Sequence, residues 1–230
     1  MRAAYPLGVE ASYRRRLFRR LEVQRRLLRE AVEPRRSDVV DAEALAVLQA
    51  VRAVRRVFLV DLAPDPLSLL PLAQRVDTWA TRRTVQQAER LRAIRLDRPR
   101  DLAPLRARWA ADNVRLIQSL DARLFDEVAS AIQEGRTDLR EVVQKRYGVA
   151  RSRAELIATN EVGTLNAWVT QARQEEAGFD RYEWSTSDDD RVRDEHVALD
   201  GTIRRWDDPH PTEGHPGEAI RCRCVAIPVV

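Results

Sequence analysis

The stretch Glu176-Ala177-Gly178-Phe179-Asp180-Arg181-Tyr182-Glu183-Trp184 decides the fold, because the hydrophobic period changes inside it. Before Gly178, apolar residues return every three or four positions, the spacing of one helix face; after it, Tyr182 and Trp184 alternate across Glu183, as in a strand. Glycine tolerates the left-handed backbone that closes a helix, so Gly178 is expected to end the last one. Thr202-Ile203-Arg204-Arg205-Trp206 alternates again, and Val225-Ala226-Ile227-Pro228-Val229-Val230 is an apolar run, with turns expected at Gly201 and Gly214. The pattern predicts an α+β chain: mainly long α-helices followed by a small C-terminal antiparallel β module.

Upstream, Ser152-Arg153-Ala154-Glu155 has the spacing of a capping box, which predicts a helix over 153–177. A short helix is expected from Asp138 to Tyr147, closed by Gly148. A longer one spans Leu102 to Gln133, with Trp109, Ile117, Leu120, Leu124, Val128 and Ile132 in register and Gly135 as its stop. Two more run over Leu69–Ile94 and Ala42–Asp61, the latter with a stripe of Leu45, Leu48, Val51, Val54 and Phe58, and Pro64 and Pro66 separate them. The first helix carries Tyr13, Leu17, Leu21, Gln24, Leu28 and Ala31 on one face and stops before Pro34. The expected division is a helical region, 1–148, and a second region, 149–230, whose helix leads into a β module at 181–230.

A chain of 230 residues with 44% hydrophobic and 33% charged residues has globular proportions and length enough for a sizeable core. No apolar run approaches membrane-spanning length and the start has no signal-peptide core, so the expectation is synthesis in a host cytoplasm and no membrane partner. The basic residues are arginines apart from Lys145. Residues 1–36 hold 11 Arg against 4 Glu, whereas residues 181–230 hold 7 Arg against 11 acids. Arg14, Arg15, Arg16, Arg19, Arg20, Arg25 and Arg26 coat one face of the first helix. Guanidinium forks suit phosphate, so non-specific DNA contact is one reading; the other is a solvated face paired with neighbouring acids. Aromatics for base stacking are nearly absent there, which argues against sequence-specific single-strand binding.

Both cysteines, Cys222 and Cys224, and all three histidines lie in the last 35 residues. Two thiolates one residue apart share a face of an extended segment and suit one tetrahedral zinc ion, with His196 and His215 as the expected remaining ligands. His210, between Pro209 and Pro211, reads as a turn residue. The alternative is a pair of free small residues or a strained local disulfide. Three short strands bury little, so a metal cross-link would fix a module too small to hold its own core. Asp190, or Asp189, is expected to pair with Arg193 and fix the loop bearing His196, with Trp206 over the metal. Glu161, on a largely apolar helix, either pairs with an arginine of the C-terminal module and docks the two parts or is an exposed carboxylate. Glu195 beside His196 lacks the His-Glu-x-x-His spacing of a hydrolase, and Ser185-Thr186-Ser187 lacks the later Glu-x-Glu of an ADP-ribosyltransferase. No enzyme is expected.

Ile157-Ala158-Thr159-Asn160-Glu161, Trp184, Asp190-Arg191-Val192-Arg193 with His196, Leu199-Asp200-Gly201, His215-Pro216-Gly217 and Cys222-Arg223-Cys224 resemble, in order and spacing, the bacteriophage Mu F-like minor head proteins, also called phage head-morphogenesis proteins. The resemblance covers about the last third of the chain, and Asn160 departs from it where threonine or arginine is more usual. It implies a structural protein without catalytic activity, present in a few copies inside the head near the portal vertex of the virion. Its implied partners are the portal protein and inner capsid, and in some phages such proteins leave with the DNA. The other expectation is a zinc-containing nucleic-acid-binding protein acting outside a virion, marked by tight, steeply salt-dependent DNA binding.

Overall fold

The computed structural model describes residues 5–33, 40–92, 99–187 and 192–230. Its elements are α1 (Leu7–Ala31), α2 (Val40–Arg56), α3 (Leu70–Arg92), α4 (Ala103–Gln133), α5 (Leu139–Glu176), β1 (Arg181–Ser185), α6 (Asp194–Leu199), β2 (Ile203–Arg205) and β3 (Val225–Pro228). Two compact units share the long helices: one comprises Tyr13–Ser68 and Ala111–Ile157, the other Met1–Ser12, Leu69–Ala110 and Ala158–Val230. Among the described residues, no helix is long and apolar enough to cross a membrane.

In the first of these units, α1 buries Tyr13, Leu17, Leu21, Gln24 and Leu28, the expected stripe. Gln24 holds an apolar position because its amide donates to Asp121 Oδ1 at 2.6 Å, and Arg20 grips the same carboxylate at 2.6–3.1 Å. Asp121 is fully buried, and the two donors replace the water it gives up. In α2 the buried face runs through Val47 and Val51, whereas Leu45 is exposed. A π-helical turn, Val57–Asp61, follows α2 and turns Phe58 onto Phe125 of α4, ring centroids 5.7 Å apart.

The break expected after Tyr147 does not occur, and α5 runs unbroken for 38 residues. Val143, Tyr147, Ala150 and Ala154 are all buried, a stripe at helical spacing that continues across Gly148. Burying that stripe outweighs the roughly 1 kcal/mol that glycine costs inside a helix. Ser152 caps nothing: its hydroxyl bonds the Gly148 carbonyl, one turn back, at 3.3 Å. The expected boundary at 148/149 therefore falls in a helix interior.

In the second unit, α5 ends where Gly178 takes φ +78°. Gly178 N bonds Glu175 O and Phe179 N bonds Gln174 O, both at 2.9 Å, so the last carbonyls are satisfied and the chain reverses into β1. β1 pairs antiparallel with β2 on one side and β3 on the other, giving the order β2-β1-β3. Tyr182 and Trp184 point to the buried face, and Gln174 of α5 donates to Ala226 O of β3 at 3.0 Å. Nearby, buried Asp77 of α3 receives both Arg106 of α4 and Arg173 of α5, which tie these three helices together.

Candidate metal centre

The site is built from α6 and the segment that enters β3. The expected loop around His196 is a short helix, and it turns the imidazole inward until it is buried. Cys224 Sγ lies 3.3 Å and Cys222 Sγ 3.5 Å from His196 Nδ1. All three ligand atoms lie within 4.8 Å of one another. In a tetrahedral zinc site, with bonds of about 2.0–2.3 Å, neighbouring ligand atoms stand roughly 3.5–3.8 Å apart, so the separations suit such an ion. Both cysteines are free of disulfide. This group can hold a metal.

Further polar groups surround the histidine and the two sulfurs. His196 Nε2 lies 2.6 Å from Glu213 Oε2, so Nδ1 is the ring nitrogen that faces the sulfurs. That carboxylate and Cys222 raise the His196 pKa, the cysteine contributing more, and the histidine holds Glu213 low. The amides of Gly217 and Cys224 point at Cys222 Sγ at 3.4 and 3.3 Å. Cys222 is pushed down to about 5, first by its bond with Cys224 and then by His196, while Cys224 is pushed up by Cys222 and by burial. One thiolate therefore forms readily, and a cation would supply the charge that lets both form. A cavity of about 230 Å³ borders all three ligand residues, with Ser187, Val192 and Arg193 on its rim.

His215 is not in this group. Its Nδ1 is hydrogen-bonded with Tyr182 Oη at 2.8 Å, and its ring packs edge-on to Tyr182 and tilted against Trp206, ring centroids 5.6 and 4.9 Å away. Burial lowers its pKa and raises that of Tyr182 to about 12, so both are neutral. Trp206, expected over the metal, belongs to this aromatic cluster instead; the ring against His196 is Trp184, at 5.6 Å. Arg193 pairs with Glu213 at 3.2 Å. Its expected partner Asp190, with Asp189, lies outside the described residues. At Glu161 it is the backbone carbonyl that receives Trp109 Nε1, at 2.8 Å.

Three supports of the ligand segment escaped the sequence reading. Gly163 of α5 faces it so closely that a Cβ there would stand 3.1 Å from Cys222 O and 3.3 Å from Gly217 O. Asn160, one turn before, accepts the amide of Arg221, whose φ of +59° is unusual for a side-chain-bearing residue. Arg223, between the two cysteines, forms a two-pronged pair with Glu10 of α1 at 2.8 and 3.1 Å. The signals were present as a glycine inside a long helix and an acid ahead of an arginine run, but neither names its partner.

The arginine face of α1 is partly consumed within the molecule. Arg14 pairs with Glu155, Arg20 with Asp121 and Arg25 with Glu22, and Arg16 bonds Ser68. Arg15, Arg16, Arg19 and Arg26 are exposed.

Comparison with known proteins gives residues 122–227 as a match to the family described as Phage Mu protein F like protein. A Haemophilus influenzae relative, described as an uncharacterized protein, is 37% identical over 126 residues. The match covers 52% of this chain and 28% of that relative, so the chain corresponds to little more than a quarter of its length. No solved structure matches.

Proposed function

We propose, from the match of residues 122–227 to the Phage Mu F-like family, that this chain is a structural minor head protein that docks on the portal and inner capsid during phage head assembly. The observation that carries this reading is that His196, Cys222 and Cys224 all lie within the matched residues and meet at one buried centre. That centre acts structurally: a zinc ion there links α6 to the segment entering β3, supplying the cross-link that three strands of three to five residues need. His196, Cys222 and Cys224 hold the ion, with Glu213 orienting the histidine. The protein resides inside the virion head, near the portal vertex.

Contact with packaged DNA falls to exposed arginines of α1 such as Arg19 and Arg26, and is weak and non-specific because Arg14, Arg20 and Arg25 pair with Glu155, Asp121 and Glu22. Quantitative mass spectrometry of purified particles and procapsids from the source tests the reading. Several copies per DNA-filled head, together with co-purification of the portal protein, are expected. Absence from both heads and procapsids would retire it and promote a nucleic-acid-binding protein acting outside a particle.

A further inference from the structure

Arg223 sits between the two cysteines, and its guanidinium leaves the metal centre for α1. There it meets Glu10, whose side chain is 3% exposed, through Nη2 to Oε1 at 2.8 Å and Nε to Oε2 at 3.1 Å. Glu10 Oε1 also accepts from Thr159 Oγ1 of α5 at 3.2 Å. Tyr5 closes the cluster: its hydroxyl donates to Thr159 O at 3.0 Å, and its ring lies 5.8 Å from the Arg223 guanidinium carbon. A carboxylate this buried is tolerated only with its partners in place, and its principal partner is the residue that both ligand sulfurs flank.

We propose that Glu10 is a positioning residue of the metal centre: through Arg223 it holds the Cys222–Cys224 segment in ligating geometry, and the occupied centre in turn holds the first turns of α1. The proposal rests on the reading that His196, Cys222 and Cys224 bind a metal. The physical reason is linkage. Two sulfurs and the guanidinium between them share one short piece of backbone, so fixing either side reduces the freedom the other must surrender on binding. Coupling of this kind is reciprocal: whatever Glu10 adds to metal affinity, the metal adds to the seating of α1. The N-terminal end of α1, more than two hundred residues away in sequence, thereby becomes part of the metal module.

The experiment uses the full chain and Co²⁺, whose thiolate charge-transfer band reports binding directly, with a competing chelator to set the free metal concentration. Groups supporting a metal site from outside the ligand set typically contribute about 10–100-fold in affinity, and Glu10→Gln should weaken Co²⁺ binding within that range. Glu22→Gln, an exposed acid on the same helix, and Val76→Ala, a core truncation in α3, should leave the dissociation constant unchanged, the latter while lowering the melting temperature. A merely structural role for Glu10 would behave like Val76. Hydrogen exchange on the wild-type chain needs no variant: amides of residues 7–12 should exchange more slowly with Zn²⁺ than without it. An unchanged dissociation constant in Glu10→Gln overturns the proposal. If that variant does not fold, exchange at residues 7–12 that ignores the metal overturns it. Failure of the wild-type chain to bind Co²⁺ removes the metal reading itself, and the proposal with it.

Discussion

Tyr182 Oη and His215 Nδ1 are hydrogen-bonded at 2.8 Å in a buried cluster with Trp206. The bond occupies one ring nitrogen, and His215 is a buried core residue. His215→Ala should leave metal stoichiometry at one ion per chain. It should also destabilise the fold by about 2–4 kcal/mol, because it orphans a buried hydroxyl and opens a cavity. Metal analysis and thermal melting of the same sample check both. His196→Ala should lose the ion.

The same bond carries a pH dependence. Burial depresses the His215 pKa, so the unfolded chain binds the extra proton first and the contribution of a neutral His215 is present above about pH 6.5. It is lost as pH falls from there through the depressed folded value. The stability difference between wild type and His215→Gln should shrink between pH 7 and pH 5, measured by urea unfolding at each pH. A difference that widens on acidification would mean the folded state prefers imidazolium.

Replacing Cys222 and Cys224 together with serine should abolish metal binding and lower the melting temperature of the C-terminal module, while far-UV circular dichroism keeps most of its helical signal. A chelator should reproduce the effect in the wild type and leave the double variant unmoved. Equal loss of helix would mean that module and helices unfold as one.

Two glycines of α5 should respond in opposite directions. Gly148 has open space where a Cβ would stand, so Gly148→Ala should stabilise by about 0.5–1 kcal/mol through helix propensity alone. At Gly163 the new Cβ would press on the carbonyls of Cys222 and Gly217, so Gly163→Ala should destabilise and weaken metal binding despite the same propensity gain. Urea denaturation and a Co²⁺ titration of each variant make the comparison.

Charged residues of the arginine face should differ just as sharply. Asp121→Ala strands Arg20, only 19% exposed, and should cost about 3 kcal/mol, the lower end for a broken buried pair since part of that guanidinium reaches water. Glu155→Ala, which frees half-exposed Arg14, should cost about 0–1 kcal/mol. Similar values for the two would show that burial does not set their worth.

Much of this architecture was legible before any coordinates because its signals are local. The stripe from Tyr13 to Leu28, the stop at Gly178 and the alternation of Tyr182 with Trp184 each depend on residues a few positions apart, and backbone geometry converts their spacing directly into a face or a turn. The crowding of Cys222, Cys224 and the histidines into one segment marked a candidate metal site for the same reason. Which histidine meets the sulfurs is a different kind of question: His215 is the nearer in the chain, yet packing against Tyr182 holds it apart, and His196, 26 and 28 residues away, is the one brought to them. Gly148 reads as a helix stop until a stripe buried on both sides of it overrides the local preference. Arg20, Arg223 and Glu10 look like surface charges until partners 101 and 213 residues away enclose them. The sequence by itself determined the long helices up to Gly178, the change to strands after it and the residue types of the C-terminal cluster. Tertiary structure alone decided which histidine meets the cysteines, the continuity of α5 and the fate of the arginines, because desolvation and pairing depend on neighbours that only folding brings within a few ångströms.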